Sequence, residues 1–356
     1  MRLQFLVLFV CAIFISACVQ APSDQGNASD PNRKIRIGFA MDTVKEERWQ
    51  RDRELFQKRC DELKSVVECS ITVADNKADK QANDVDNLLT KGIDVLVIAP
   101  NNATQAASMV EKAKAQGVPV ISYDRLINSD KLDLYISHQV PIIGRKQAEY
   151  ALEKAPKGNY VMVYGASTDN NAIIMKNSQM EVLKPAIDRG DIKIVAEQHA
   201  TDWKPEEALK IVENALTQNN NNIAAVVASN DGTAGGAVQA LASQNLTGKV
   251  VVTGQDAELP ALQRIAQGTQ TMTIYKPIQP LAYSAVDAAI KLAKKESLTD
   301  AAPFNNSATG KQVSAILLET QVVDKDNLID TVIKDGYVKY DDVYVNVPAD
   351  KRPPKP

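Results

Sequence analysis

The segment IDVLVIAPNNATQAASMVEKAKAQGVPVISYDR, residues 93–125, indicates the fold class more clearly than any other. It contains an apolar run, Val95–Ala99, then a helical stretch, Thr104–Gln116, and then a second apolar run, Val118–Ser122. A Gly-Val-Pro sequence ends the helical stretch, because glycine and proline both interrupt helices. Apolar runs without alternation are typical of strands that are covered on both faces. The segment therefore predicts one strand–helix–strand unit of a parallel sheet.

This alternation of strand and helix extends over most of the chain. The other predicted strands are Ile35–Ala40, Cys69–Ala74, Leu132–Ser137, Tyr160–Tyr164, Ile192–Glu197, Ala224–Ala228, Lys249–Thr253, Thr271–Tyr275 and Val313–Leu318. The other predicted helices are Glu47–Ser65, Asp84–Lys91, Ile142–Lys154, Ala172–Arg189, Pro205–Gln218, Ala234–Gln244 and Ile278–Lys295. The folded part begins near Lys34 and runs for about 300 residues, more than a single hydrophobic core usually serves. We therefore predict an α/β protein with two doubly wound parallel-sheet lobes.

Two segments near the C terminus are predicted to lack regular structure. The first, residues 297–310, has the polar sequence SLTDAAPFNNSATG. The second is the tail at residues 346–356, which ends in a proline- and lysine-rich sequence and is expected to fray.

The N terminus is typical of an exported protein. Arg2 precedes an apolar run, Leu3–Ile15, which is shorter than the roughly 20 residues that a transmembrane helix needs. Residues 1–17 are therefore predicted to be a signal peptide. The sequence Ser-Ala before Cys18 resembles a bacterial lipobox, which would make Cys18 the lipidated N terminus of the mature chain. The alternative is a plain signal peptide cleaved near Ala21, with Cys18 incidental.

Residues 18–33 are small and polar and are predicted to form a flexible tether. We therefore expect a lipid-anchored protein in the periplasm or on the outer face of the cytoplasmic membrane. The lipid would anchor a water-soluble body and be its sole contact with the membrane.

The composition argues against several functions. The 41 basic and 44 acidic residues are interspersed, so there is no concentrated positive surface for nucleic acid. The spacing of histidines and cysteines does not resemble a zinc site, and we expect neither a metal nor a cofactor. Outside the cytoplasm Cys60 and Cys69 are able to form a disulfide, but two free cysteines are equally compatible with the sequence.

Polar side chains follow the predicted strands at their carboxyl ends, where open α/β sheets bind ligands. They include Asp124 and Arg125 after one strand and Asp256 after another, and the chain's two tryptophans, Trp49 and Trp203, lie in similarly polar surroundings. Sugar hydroxyls both donate and accept hydrogen bonds, so carboxylates, amides and cations all match them. The C–H faces of a sugar ring pack on aromatic rings. This inventory predicts a carbohydrate site.

Structural roles would explain some of the same residues. Asp84, Asp231 and Ser167 precede helices and would serve as caps. Each tryptophan would pack in a core, and Asp124 with Arg125 would form a surface ion pair. Capping does not explain Arg125 or Lys276, because neither has an acceptor for the N–H groups of a helix.

Several segments closely resemble the bacterial D-xylose-binding proteins, periplasmic receptors of ATP-driven importers in the ribose/galactose-type group. They include ERWQRDRELF (47–56), VISYDRLIN (120–128), STDNNA (167–172), VVTGQDAE (251–258) and GTQTMTIYKPI (268–278). The resemblance covers nearly all of residues 34–340. It implies a type I periplasmic binding protein, with two lobes joined by a three-stranded hinge, that captures one monosaccharide, D-xylose. It also implies a monomer that delivers the sugar to the permease of an ABC importer.

The resemblance also implies lobe boundaries and a ligand set. The N-terminal lobe would comprise residues 34–138 and 277–312, and the C-terminal lobe residues 139–276 and 313–345. The ligand contacts would be Arg48, Trp49, Asp124, Arg125, Asp169, Asn171, Trp203, Asn230, Asp256 and Lys276, with the two tryptophans on opposite faces of the sugar.

The chain departs from the family pattern in a few places. At residues 137–144 it has SHQVPIIG where the family has an SFDN-like sequence, which places His138 and Gln139 near a hinge crossing. We expect this change to affect lobe closure more than ligand binding. Gly232 stands where alanine is more usual. The pair Cys60 and Cys69 and the lipobox are also unusual for the soluble periplasmic members of the family. They favour the interpretation that this chain is a lipid-tethered relative of those members.

Other functions fit the sequence less well. A sensor that presents sugar to a membrane histidine kinase or chemoreceptor would have the same fold, and another pentose or a hexose would fit the same residue types. An enzyme is disfavoured, because the sequence contains neither a nucleophile elbow nor a phosphate-binding loop. A sugar-responsive repressor would need an N-terminal helix-turn-helix, where this chain has a signal peptide.

Overall fold

A computed structural model describes residues 33–356. The predicted signal peptide, Cys18 and all but the last residue of the predicted tether lie outside the described residues. Among residues 33–356, no helix is both long enough and apolar enough to cross a membrane.

The first lobe is built on a seven-stranded sheet in the order β11-β12-β5-β4-β3-β1-β2. Its strands are β1 (Ile35–Met41), β2 (Val67–Val73), β3 (Val95–Ala99), β4 (Val120–Tyr123), β5 (Leu134–His138), β11 (Ala302–Asn306) and β12 (Lys311–Leu318). Every pair is parallel except β11 with β12. The lobe's helices are α1 (Glu47–Glu62), α2 (Ala78–Thr90), α3 (Ala106–Ala115) and α9 (Ile278–Ala293). Helices α1 and α9 pack on one face of the sheet, and α2 and α3 pack on the other.

The second lobe contains a four-stranded parallel sheet in the order β7-β6-β8-β9. Its strands are β6 (Gly158–Tyr164), β7 (Ile192–His199), β8 (Ala225–Ala228) and β9 (Val251–Val252), and a separate antiparallel pair is formed by β10 (Met272–Tyr275) and β13 (Gln321–Asp324). Its helices are α4 (Val140–Lys154), α5 (Asn170–Asp188), α6 (Pro205–Gln218), α7 (Asp231–Ser243), α8 (Leu259–Gln267) and α10 (Tyr340–Val343). Helices α4 and α5 cover one face of the sheet and α6 and α7 the other, as a doubly wound fold requires.

The chain passes between the lobes three times, after His138, after Lys276 and after Leu318. The crossings are joined by hydrogen bonds. Gln139 Nε2 donates to Glu319 Oε1 at 2.8 Å, and His138 Nε2 lies 3.2 Å from the carbonyl oxygen of Pro277. These contacts fix the three strands of the hinge to one another.

Three parts of the C-terminal region differ from the expectation. The predicted boundary at residues 312/313 is wrong, because β12 pairs with β5 in the first sheet, so the chain leaves that lobe only after Leu318. The stretch 297–310 contains strand β11, which pairs with β12 at the sheet edge. The tail is also packed, because Val347 is buried and the Tyr340 hydroxyl donates to the Pro353 carbonyl.

In the structure Cys60 and Cys69 form a disulfide, with their Cα atoms 6.2 Å apart. Cys60 lies in the last turn of α1 and Cys69 in β2. The bond therefore joins the helix to the strand that follows it, on the side of the first lobe away from the hinge crossings.

Candidate functional site

The carboxyl ends of the strands in both lobes face a cleft that encloses a small cavity. All ten residues that the family resemblance implied as ligand contacts line it. The lining also includes seven residues that were not in that set: Glu46, Ser137, His138, Val140, Ile143, Met175 and Gln255. Gln255 precedes Asp256 at a predicted strand end, so position alone would have identified it. The apolar members carried no such signal in the sequence.

Helix starts and strand ends position the polar side chains. Arg48 and Trp49 lie in the first turn of α1, and Asp124 and Arg125 directly follow β4. Asp124 has a positive φ of 59°, an unusual backbone conformation for a residue other than glycine that recurs at functional sites. The turn lets Asp124 and Arg125 both line the cavity.

Arg48 is held by two carboxylates. Its Nε and Nη2 atoms donate to Asp52 Oδ2 at 3.0 and 2.8 Å, and its Nη1 donates to Asp124 Oδ2 at 2.6 Å. Asp52 also accepts a hydrogen bond from the Tyr123 hydroxyl. Asp52 and Tyr123 do not line the cavity and were not predicted, yet they fix the guanidinium that does.

Lys276 lies at the second hinge crossing, between two carboxylates. Its Nζ atom is 2.9 Å from Asp256 Oδ1 and 3.7 Å from Asp124 Oδ2. Burial alone would raise the pKa of Asp124, but the charges of Arg48 and Lys276 outweigh it and hold that pKa far below its usual range. Asp124 is therefore ionised at any physiological pH.

Arg125 connects the two lobes. Its Nη1 atom donates to Asp42 Oδ2 at 2.8 Å within the first lobe, and its Nε atom lies 2.9 Å from Asp169 Oδ2 in the second. Asn171 also crosses the cleft, because its Nδ2 atom donates to the Asp124 carbonyl at 2.8 Å. All of these side chains are almost fully buried, so their charges interact through little water.

Further contacts join the lobes outside the cavity. Glu47 Oε2 accepts a hydrogen bond from the Leu259 N–H at the start of α8, at 2.9 Å. Arg51, one turn further along α1, donates to the Tyr337 carbonyl at 2.8 Å and stacks over the Tyr337 ring. The lobes are thus in contact beyond the cavity as well as within it, and the structure is a closed one.

Each tryptophan is contributed by a different lobe. The guanidinium carbons of Arg48 and Arg125 lie 4.0 and 5.0 Å from the centre of the Trp49 ring. Trp203 packs against Gly165 so closely that a Cβ atom on residue 165 would lie 2.1 Å from its ring. Gly165 is therefore needed for the observed position of Trp203, a role that its sequence context does not indicate.

Helix capping is a role of two of the predicted ligand contacts. Asp169 caps α5 and Asn230 caps α7, with their side chains accepting from the backbone N–H groups of Asn171 and Thr233. Both caps also line the cavity. The alternative that Asp84, Asp231 and Ser167 are caps is wrong, for three reasons. Asp84 lies inside α2, Asp231 is the first residue of α7 and binds Gln270 and Thr273, and Ser167 precedes the actual cap of α5.

No group of three or more histidine, cysteine, aspartate or glutamate side chains in residues 33–356 is arranged to hold a metal ion. The arrangement of the site provides cationic donors, carboxylate acceptors and two large aromatic rings in one enclosed cavity. Together, the doubly wound lobes, the triple hinge and this interlobe cavity define a binding protein that encloses a small polar ligand.

The comparisons identify the family. Residues 37–297 match the model of the periplasmic binding protein domain, and the chain belongs to that family, with the type I periplasmic binding protein fold. It is an exported, periplasmic protein.

Two similar curated proteins are D-xylose-binding periplasmic proteins. That of Escherichia coli is 42% identical over 95% of this chain and 99% of its own length. That of Haemophilus influenzae is 43% identical over 89% of this chain and 95% of its own length. The names of both proteins describe binding rather than catalysis.

A similar solved structure is a carbohydrate transporter solute-binding protein from Chloroflexus aurantiacus, in complex with D-glucose. It is 30% identical, with a TM-score of 0.81, over 87% of this chain and 98% of its own. A second, from Clostridium phytofermentans with bound β-D-glucose, is 28% identical, with a TM-score of 0.78, over 86% of this chain and 99% of its own.

The contact between Gly165 and Trp203 leads to a first prediction. Gly165→Ala is expected to displace Trp203, because the added methyl carbon would lie 2.1 Å from the ring. Calorimetric titration should show sugar affinity reduced by about tenfold or more, equivalent to roughly 1.4 kcal/mol.

Gly232→Ala is the matched control. Residue 232 lies in α7, and the nearest side-chain atom to an added Cβ would be 3.5 Å away, which is ordinary contact. This variant should bind sugar as the natural chain does. Equal affinity in Gly165→Ala and Gly232→Ala would contradict the role of Trp203.

Proposed function

We propose that the protein captures one D-xylose molecule in the interlobe cavity and delivers it to the permease of an ABC importer. The observation that carries the proposal is the meeting of all ten sequence-predicted contact residues in that single cavity. The relatives named for D-xylose binding support the choice of sugar.

The chemistry of the lining fits a sugar with several neighbouring hydroxyls. Arg48, Arg125 and Lys276 offer N–H donors, while Asp124, Asp169 and Asp256 accept. Each hydroxyl is able to donate to a carboxylate and accept from a cation at the same time. A hydroxyl placed between Arg125 and Asp169 would therefore strengthen a contact that already joins the lobes.

Ligand binding and closure are coupled through these residues. Arg48, Trp49, Asp124 and Arg125 belong to the first lobe, and Asp169, Asn171, Trp203, Asn230 and Asp256 to the second. A sugar that contacts both sets favours the closed state, because the open state offers only one set at a time. The closed form is the one that we propose the permease receives.

Titration calorimetry with a panel of pentoses and hexoses tests this function. We expect D-xylose to bind with the highest affinity of the panel. One molecule should bind per chain, because a single chain, as a monomer, supplies the whole site. Trp203→Ala should bind D-xylose more weakly, since it removes a stacking face worth about 0.5–1.5 kcal/mol. Heat with ribose or galactose but none with xylose would reassign the ligand.

We also propose that Cys18 carries a lipid that tethers the protein to the membrane surface. The support is the Ser-Ala-Cys sequence at the end of the apolar run. In a bacterial host, Cys18→Ser should release the protein from the membrane fraction, while Cys60→Ser should leave it there. Membrane association that survives Cys18→Ser would contradict the anchor.

A further inference from the structure

His138 lines the cavity but was not among the predicted contacts. It is the last residue of β5, at the first hinge crossing, and only 1% of it is exposed. It belongs to the sequence SHQVPIIG, which departs from the family pattern and which we expected to affect closure rather than the ligand.

The hydrogen bond to Pro277 determines which ring nitrogen carries the proton. His138 Nε2 lies 3.2 Å from the Pro277 carbonyl oxygen, and a carbonyl oxygen only accepts. Nε2 must therefore be the donor. Burial, together with the charge of Lys276, lowers the pKa of His138 to about 3, so the ring is neutral and holds a single proton.

Nδ1 is consequently an acceptor with a free lone pair. It is buried, and none of the described residues donates a hydrogen bond to it. The charged groups that act on the ring are Lys276, Asp124 and Arg48, which all line the same cavity. A buried acceptor without a donor destabilises the protein unless a ligand supplies the donor.

We propose that His138 Nδ1 accepts a hydrogen bond from one hydroxyl of the bound sugar and is a specificity-determining residue. The inference rests on the proposed function, since it requires the sugar to occupy this cavity. Its acceptor is a neutral ring nitrogen, whereas Asp124, Asp169 and Asp256 accept through carboxylates. A sugar that lacks this hydroxyl, or carries a methyl ether in its place, leaves Nδ1 unpaired and is rejected.

Two substitutions separate this role from the hinge contact of the same ring, and a third removes both. His138→Gln places an amide N–H near the position of Nε2, so it keeps a donor for Pro277 but loses the Nδ1 acceptor. His138→Asn places an amide oxygen near the position of Nδ1 and loses the donor to Pro277. His138→Phe removes both nitrogens and retains the ring shape. Thermal unfolding checks that each variant is folded.

The experiment measures the affinities of D-xylose and its monodeoxy analogues by calorimetry for the natural chain and each variant. One of the monodeoxy analogues should bind the natural chain about tenfold or more weakly than D-xylose does. The same analogue should lose affinity for His138→Asn by a similar factor. The same removal should cost His138→Gln and His138→Phe less than about threefold, because the partner of that hydroxyl is already lost.

Equal losses in all four proteins for every analogue would overturn the role of His138 while leaving sugar binding intact. The same conclusion follows if only His138→Asn and His138→Phe bind D-xylose more weakly than the natural chain does. Both variants lose the hydrogen bond to Pro277, so the hinge contact would then explain the loss of affinity. If the natural chain binds no pentose, the proposed function fails and this inference fails with it.

Discussion

The site depends on the pairing of charges that have been removed from water. Arg48, Arg125 and Lys276 are almost fully buried, and each lies within 3 Å of at least one buried carboxylate. An unpaired charge in this position would cost several kcal/mol, so each cation needs its partner. Asp124 is the central member, since it contacts Arg48 and approaches Lys276. The charged side chains that stabilise the site by pairing therefore also supply the groups that hydrogen-bond a ligand.

Both lobes contribute residues to this charge pairing. Asp42 and Asp52 hold the two arginines from the first lobe, while Asp169 approaches one of them from the second. The three crossings limit how the lobes move, because hydrogen bonds join the crossing strands to one another. A ligand that hydrogen-bonds to both lobes thus stabilises the closed state, as expected of a protein that must hold and later release its sugar.

The sequence predicted the fold well because the alternation of strand and helix is a local property. Apolar runs and helix stops predicted both sheets, and the resemblance to sugar-binding proteins selected ten residues that the structure brings into one cavity. The errors came from information that is not local. Strand β12 joins the first sheet through pairing with β5, which its own sequence does not specify. Helix α8, of nine residues, was not predicted. Gly165 and Asp52 act by touching other site residues, and only coordinates show those contacts.

The central claim is that a sugar lies between the lobes and is held by these paired charges. A crystal structure of the complex with D-xylose tests it most directly. We expect the ring between Trp49 and Trp203, with hydroxyl oxygens within hydrogen-bonding distance of Arg125, Asp169 and Asp256, and with the lobes closed as in this structure. A sugar bound outside the cavity, or lobes that stay open around it, would contradict the account.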